Sequence, residues 1–327
     1  MYLGIDFLIG SGREPFVCEV NIGLPGGAEE YDRAHRVFRG QPSGVFARLE
    51  KTSGDIYGRP FAGYLDSLSF LPALKAFKLW MDGQGEFPPE RHPALRLEDK
   101  WVQHQVLHRF VPMPETAVFD PHDPGPAAAM LTRWGRLALK PRLGRGGRGF
   151  RVVDGLEDLP GPRDGGTPLI LQRHIDSCVG GYTFSIRAVA FGGRFICAYA
   201  NLAAREYSNH GILAYISEGN VLSLSERAFR TERIDEKSWE ARLWFGDREP
   251  AYLRHNLYED EVAAASLLVP RPLLASVQDI AVRIERSYEG LDFSSLPRAC
   301  FENPPNRELK AGPPQPIIPQ PTGKEDR

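Results

Sequence analysis

Residues 138–153 read ALKPRLGRGGRGFRVV: an apolar run ending in Lys140, then Gly144, Gly146, Gly147 and Gly149 interleaved with arginine, then a second apolar run. The residues after the glycines decide the fold. A dinucleotide-binding glycine motif opens a helix, and a Walker loop closes on Lys-Ser or Lys-Thr. Here the chain continues as FRVV, and a β-branched pair favours a strand. The stretch is therefore expected to be a glycine-rich turn between two antiparallel strands, with Lys140 at the end of the first. Glycine lacks the Cβ that would hold a ligand away, so backbone amides in such a turn can close on phosphate oxygens. Two other readings compete. Residues 133–151 carry seven basic side chains and no acid, as an arginine-glycine nucleic-acid segment would. Such segments usually sit in disordered tails, however, not between strands. A solvated hairpin tip would need no ligand at all.

The whole chain sets the bounds on that loop. Lys and Arg total 40 against 42 Asp and Glu, a net charge of −2, which argues against a general polyanion binder and hence against a nucleic-acid partner. With 327 residues, 42% of them hydrophobic, the chain can bury one large core or two modest ones. Cys18, Cys178, Cys197 and Cys300 show no CxxC spacing, so a zinc ribbon and a disulfide framework are both disfavoured and reduced thiols are expected. No apolar run reaches membrane-spanning length, and MYLGIDFLIG carries an acid where a signal peptide carries base. The expectation is a cytoplasmic protein without a membrane partner.

Along the chain, residues 2–9 and 16–20 read as strands joined by a turn, and residues 28–39 as a helix. Residues 40–98 are mixed and proline-punctuated, with a helix in SLSFLPALKAFKLW whose proline belongs to the first turn. In LEDKWVQHQVLHRFVP, Asp99 is the expected N-cap, Trp101, Val102, Val106, Leu107 and Phe110 make the apolar stripe, and Pro112 ends the helix. Strands are expected at 136–140, 149–153, 168–172, 183–191 and 194–201, and a helix at 273–288. The proline-rich end, AGPPQPIIPQPTGKEDR, reads as a disordered tail.

Four pieces in this order resemble the ATP-grasp superfamily: the helix EDKWVQHQVLHRFVPMPET, the strand and flap LALKPRLGRGGRGF, the strand LILQRHIDS and the hairpin FSIRAVAFGGRFICAY. They cover about half the chain. The family's metal motif, Gly-x-Asp followed by Glu-x-Asn, stands here at the beginning, in LGIDFLIGSGREPFVCEVN, where Asp6, Glu19 and Asn21 keep the family's spacing. YEGLDF near the far end is similar to the lead into that motif, so the resemblance implies a circular permutation, which is tolerated where chain ends lie close together. A rival set, Asp292, Glu302 and Asn303, has adjacent Glu and Asn, which alternate across a strand and cannot face the same way. Glu19 and Asn21 are two apart and share a face, where Asp6 on the neighbouring strand can meet them. Hard oxygen ligands of this kind suit Mg²⁺ shared with phosphates. Paired acids on a solvated strand face are the bland alternative.

The resemblance implies an α+β fold of two α/β lobes clamping ATP, and divides the chain accordingly. Residues 1–39 hold the permuted metal strands, 40–98 a largely helical cap, 99–171 the N-lobe with its flap, 172–300 the C-lobe and 301–327 the tail. It implies ATP and Mg²⁺, in two ions with Mn²⁺ as a substitute. Lys100, Lys140 and the flap glycines would contact phosphate. Gln172, Arg173, His174 and Ile175 would meet adenine mainly through backbone, and Asp176 or Tyr182 the ribose. In AREYSNHG, Arg205 and Asn209, with His210 and Arg187, would flank the reacting phosphate; Arg187 could instead pair with a carboxylate across the sheet. His104 and His108, four apart on a helix, could serve zinc only with a third ligand. The implied activity is a carboxylate–amine ligase working through an acyl phosphate on small-molecule or peptide substrates. The alternatives are a small-molecule kinase of the same fold and a nucleotide-binding module without chemistry. Residues 22–98 and 220–270 resemble nothing that names the substrates, and no feature of the sequence fixes an oligomeric state.

Overall fold

The computed structural model describes residues 1–88, 91–144, 147–161, 168–179, 181–203, 212–224, 229–233, 241–245, 252–254 and 261–302. In chain order the elements are β1 (Leu3–Ile9), β2 (Pro15–Ile22), α1 (Ala28–Arg39), α2 (Val45–Tyr57), α3 (Phe61–Asp66), α4 (Leu71–Met81), α5 (Lys100–Leu107), β3 (Thr116–Phe119), α6 (Gly125–Trp134), β4 (Leu137–Pro141) and β5 (Arg151–Val153). The chain continues through β6 (Leu169–Arg173), β7 (Cys178–Val179), β8 (Tyr182–Phe191), β9 (Arg194–Ala203), β10 (Ile212–Gly219), β11 (Ser223–Leu224), β12 (Phe229–Arg233), β13 (Ala241–Phe245), β14 (Tyr252–Arg254), β15 (Glu261–Pro270) and α7 (Arg271–Glu289). Helices and mostly antiparallel strands together make the α+β class.

The strands form two principal sheets. The larger has nine strands, with β11-β15-β10-β9-β8-β1-β2 as its main path, β14 beside β15 and β7 beside β8. Among the described strands, only β10 and β15 run parallel in it. The smaller, β3-β6-β4-β5, is antiparallel. Strand β1 lies between β8 and β2 and is buried along its whole length, which explains its nearly unbroken apolar run, LGIDFLI. Leu3, Ile5 and Phe7 join Val277, Ile280, Ala281 and Ile284 of α7 in one core. These α7 residues recur at helical spacing and put a single stripe on the sheet. On the opposite face Tyr2, Val189, Phe191 and Cys197 pack with Ala28 of α1, Val45 and Leu49 of α2 and Tyr64 of α3. The Met1 ammonium pairs with buried Glu285 of α7, so the chain starts against the last turns of that helix.

The small sheet has its own core, in which Ala127 and Met130 of α6 cover Leu137, Leu139, Val153 and Leu171. Alternation then turns Ala138, Lys140 and Gln172 to the face away from α6. The glycine-rich segment connects antiparallel β4 and β5, as the FRVV continuation predicts. Gly149 has φ +74°, and a Cβ there would sit 2.8 Å from Pro141 Cγ, so the return into β5 is closed to other residues.

Helix α5 joins the two sheets. Asp99 caps it as expected, accepting from Trp101 N at 2.9 Å, but the helix stops at Leu107 with His108 as its C-cap, so Phe110 and Pro112 lie beyond it rather than in its last turn. Buried Gln103 reaches across to the outer edge of β2, accepting from Val20 N at 2.9 Å and donating to Val20 O at 2.8 Å and Leu97 O. Val17 N donates to Pro112 O at 2.8 Å further along the same edge. An edge strand otherwise presents unpaired donors and acceptors. The amide of Gln103 is a substitute strand here, and Gln103→Leu is expected to strip partners from three buried backbone groups. The expected loss is about 2–4 kcal/mol of unfolding free energy in a urea titration; a variant as stable as the parent would mean that water reaches this edge.

Candidate functional site

Strand pairing builds the site. Asp6 lies opposite Glu19 of β2 on one side and Arg187 of β8 on the other. Directly opposed residues share a face. The same row continues through Tyr199, Tyr215 and Ser266, since Arg187 opposes Tyr199, Tyr199 opposes Tyr215 and Tyr215 opposes Ser266. A single polar row therefore crosses six strands on the face covered by α1.

A register shift adjacent to Asp6 places an extra residue in β2, so that the partners step from Glu19 to Val17 as β1 steps from Asp6 to Phe7. Cys18 is that extra residue. A bulge of this kind puts two neighbours on the same side of a strand, and Phe16, Cys18, Glu19 and Asn21 are the partly exposed positions while Val17, Val20 and Ile22 are buried. The sign of it lies in the spacing of those three, a gap of three and then of two. The Cys18 thiol, pushed up to about 12 by burial and next by Asp6, stays protonated at neutral pH.

Arg187 grips Asp6 with both arms, Nε to Oδ1 at 2.7 Å and Nη2 to Oδ2 at 2.6 Å, and donates from Nη1 to Pro25 O at 3.0 Å. Of the two roles open to Arg187, the pairing across the sheet is the one the geometry exhibits. Burial holds the Asp6 carboxyl above its usual range even against the guanidinium. Asn21 Nδ2 lies 3.5 Å from Asp6 Oδ2, which turns Asn21 Oδ1 the other way.

Two lysines face this row from the small-sheet side. Lys100, at the first turn of α5, approaches Glu19 Oε1 to 3.7 Å and donates to Gly144 O at 2.6 Å, while its backbone N donates to Arg142 O. Arg142 in turn makes a bidentate pair with buried Asp99, at 3.0 and 2.7 Å. The base of the glycine turn is thus bolted to the start of α5, and Arg148 further along pairs with Asp82 at the end of α4. Lys140 on β4 makes no hydrogen bond or ion pair among the described residues. Burial pushes its ammonium below the usual lysine range and Lys100 adds to this, opposed by Cys18 and Glu19.

The other expected site residues are more widely distributed. Gln172 is buried and donates to Thr116 Oγ1 at 2.8 Å. The Arg173 guanidinium lies over the Trp134 ring at 4.1 Å and the Phe16 ring at 5.3 Å, and its backbone N donates to Glu115 O. His174 N donates to Arg136 O, and Ile175 is buried. Asp176 is exposed and Tyr182 half-buried. Gly144 and Gly147 flank Arg145 and Gly146; Gly146, Arg205, Asn209 and His210 lie outside the described residues. In the rival set, Glu302 accepts from Arg96 Nε with both oxygens at 3.0 Å and Asp292 caps a short 3-10 turn through Ser294, both structural tasks; Asn303 is outside the described residues. His104 and His108 stack at 4.8 Å, and burial, then His108, pushes His104 down to about 4. Among the described residues no three His, Cys, Asp or Glu side chains gather to hold an ion. Asp6, Glu19 and Asn21 make two carboxylates and an amide.

No protein-family model matches this sequence, and no curated protein matches it. Among solved structures, the chain is similar to the ATP-grasp ligase PsnB complexed with a phosphomimetic variant of minimal precursor, Mg and ADP. The identity is 14% and the TM-score 0.31, with 76% of this chain and 58% of that one covered. The chain thus spans a little over half of that structure's length, and a likeness this slight leaves function to be read from the site itself.

An unpartnered, desolvated ammonium destabilises a fold. Because Lys140's folded-state pKa is below its unfolded one, the penalty is full while both states are protonated and fades as pH rises toward the ordinary value of 10.5. Lys140→Met is expected to raise the melting temperature of the ligand-free protein at neutral pH by about 1–3 °C, with the gain shrinking in alkaline buffer. An unchanged or lower melting temperature would mean that the ammonium is already compensated.

Proposed function

We propose that this chain binds Mg·ATP between its two sheets and is an ATP-dependent carboxylate–amine ligase. The observation that carries the reading is the Lys140 ammonium, without a partner among the described residues, facing a row that offers hard oxygens at Glu19 and Asn21. Bare cations need an anion, and carboxylate and amide oxygens need a cation; a metal-bound polyphosphate satisfies both at once. Lys100, near Glu19 and bonded to Gly144 O, sits where it can join Lys140 on the phosphates.

In this reading residues 99–171 are the lobe with the flap and residues 172–300 the lobe with the large sheet. Residues 1–39 complete the latter as a permuted segment, and residues 40–98 shape the acceptor side. The insertion of β1 between β8 and β2, with Met1 against α7, supports the permutation. Adenine would lie along the backbone at 172–175. Glu19 and Asn21 would hold the divalent ion, which when bound neutralises charge on the transferred phosphoryl group. Arg187 keeps Asp6 in place; Lys140 and Lys100 orient the phosphates; Arg205 and Asn209 are proposed beside the acyl phosphate. The substrate carboxylate attacks the γ-phosphorus, the bond to ADP breaks, and an amine then displaces phosphate from the acyl carbon. Closure of the flap would keep water from that intermediate.

A screen of amino acids, small carboxylates and peptides for stimulated ADP release is the direct test. Phosphate recovered in solution fits a ligase, phosphate retained on the product makes the protein a kinase, and binding without any turnover makes it a nucleotide-binding module. With an accepted substrate, Glu19→Gln is expected to keep nucleotide binding and its melting temperature while turnover falls at least ~100-fold. Glu302→Gln is expected to leave turnover unchanged. Full activity in the first variant and loss in the second would move the metal site to the far end of the chain.

A further inference from the structure

A carboxylate that ligates metal usually keeps at least one oxygen turned to the ion, and Asp6 does not have that disposition. Both of its oxygens accept from Arg187, at 2.7 and 2.6 Å, and the second also faces the Asn21 amide at 3.5 Å. Arg187 cannot easily swing aside. Its remaining arm donates to Pro25 O at 3.0 Å, its fork lies at the centre of the sheet, and the side chains of both partners are largely buried, at 21% and 12% exposure. Glu19 is more open, at 29%, and stands on the outer strand.

The charges point the same way. Asp6, Glu19 and buried Glu30, whose charge acts on Arg187, supply three negative groups, and Arg187, Lys100 and Lys140 supply three positive ones. Two divalent ions added to that set would meet a row whose acids are already matched, with one ion forced against a fixed guanidinium. One ion together with a triphosphate balances it far better. We infer that the site takes one divalent ion per nucleotide, held by Glu19 and Asn21, with the Arg187 guanidinium standing where a second ion would otherwise neutralise Asp6. The inference rests on the nucleotide reading above and narrows the two-ion site that the family resemblance implies. Asp6 and Arg187 become a positioning pair that fixes the strand carrying the ion's ligands.

The test counts ions without turnover. The protein is saturated with AMP-PNP and titrated with Mn²⁺, and bound metal is followed by electron paramagnetic resonance and calorimetry. The expected result is one Mn²⁺ per chain, with a six-line hyperfine spectrum free of Mn–Mn coupling. Two ions per chain with a coupled spectrum would overturn the inference and leave the ligase proposal standing; failure to bind AMP-PNP at all would overturn both. Arg187→Ala uncovers Asp6, and in folded protein, verified by circular dichroism, a second and weaker Mn²⁺ is expected. A count that stays at one in that folded variant would overturn the role given to Arg187. If the variant does not fold, the wild-type count decides the matter.

Discussion

A charged carboxylate in the middle of a sheet persists only with a partner that meets it squarely, and the Asp6–Arg187 pair is the point from which the large sheet is organised. It joins β1 to β8, strands far apart in the sequence, and sets their register. A slip of one residue would turn Asp6 into the apolar core around Ile5 and Phe7 and separate it from Arg187. Once that register holds, Glu19 is delivered beside Asp6 by the β2 pairing, and Tyr199 and Tyr215 extend the row toward α1. Local turns and helix caps could form without the pair; the polar row could not.

The second organising element is α5, whose first turn reaches both sheets and the glycine turn. Asp99 serves its own helix as N-cap and also holds Arg142 at the root of the glycine turn, and Cys300 N donates to its other oxygen at 2.9 Å. Lys100 reaches both Glu19 and Gly144. Gln103 closes the edge of β2 one turn later. Asp99, Lys100 and Gln103 therefore connect the small sheet, the large sheet and the segment after α7. Lys140, without a partner among the described residues, is a local conflict of the sort that functional sites retain against stability.

Much of this could be read in the sequence where a single physical signal dominated. The α5 cap, the proline in the first turn of α4, the boundaries of α1 and the hairpin nature of the glycine segment all derive from local chemistry, whereas α5 ends at Leu107, short of the stop expected at Pro112. The facing of Glu19 and Asn21 comes from a period of two. The bulge at Cys18 left its trace in the spacing of Val17, Val20 and Ile22, but a three-residue gap gains meaning only when a partner strand is known. Helices α2 and α3 escaped because their ends are marked by Gly44, Gly58 and Pro60, residue types that also mark loops. Strands β10 and β15 take their place from pairing between segments far apart in the chain, and such pairing leaves no local signature. The grip of Arg187 on Asp6 was open to sequence reasoning only as one of two roles.

The tie between Arg148 and Asp82 has a consequence of its own. It fastens the return arm of the glycine turn to the end of α4. Both side chains are only partly shielded, so the tie weakens as counterions accumulate. The return arm of the glycine turn and the helical surface at the end of α4 are thus coupled through one ion pair. Any change at α4 that takes Asp82 from Arg148 would release that coupling without touching either sheet.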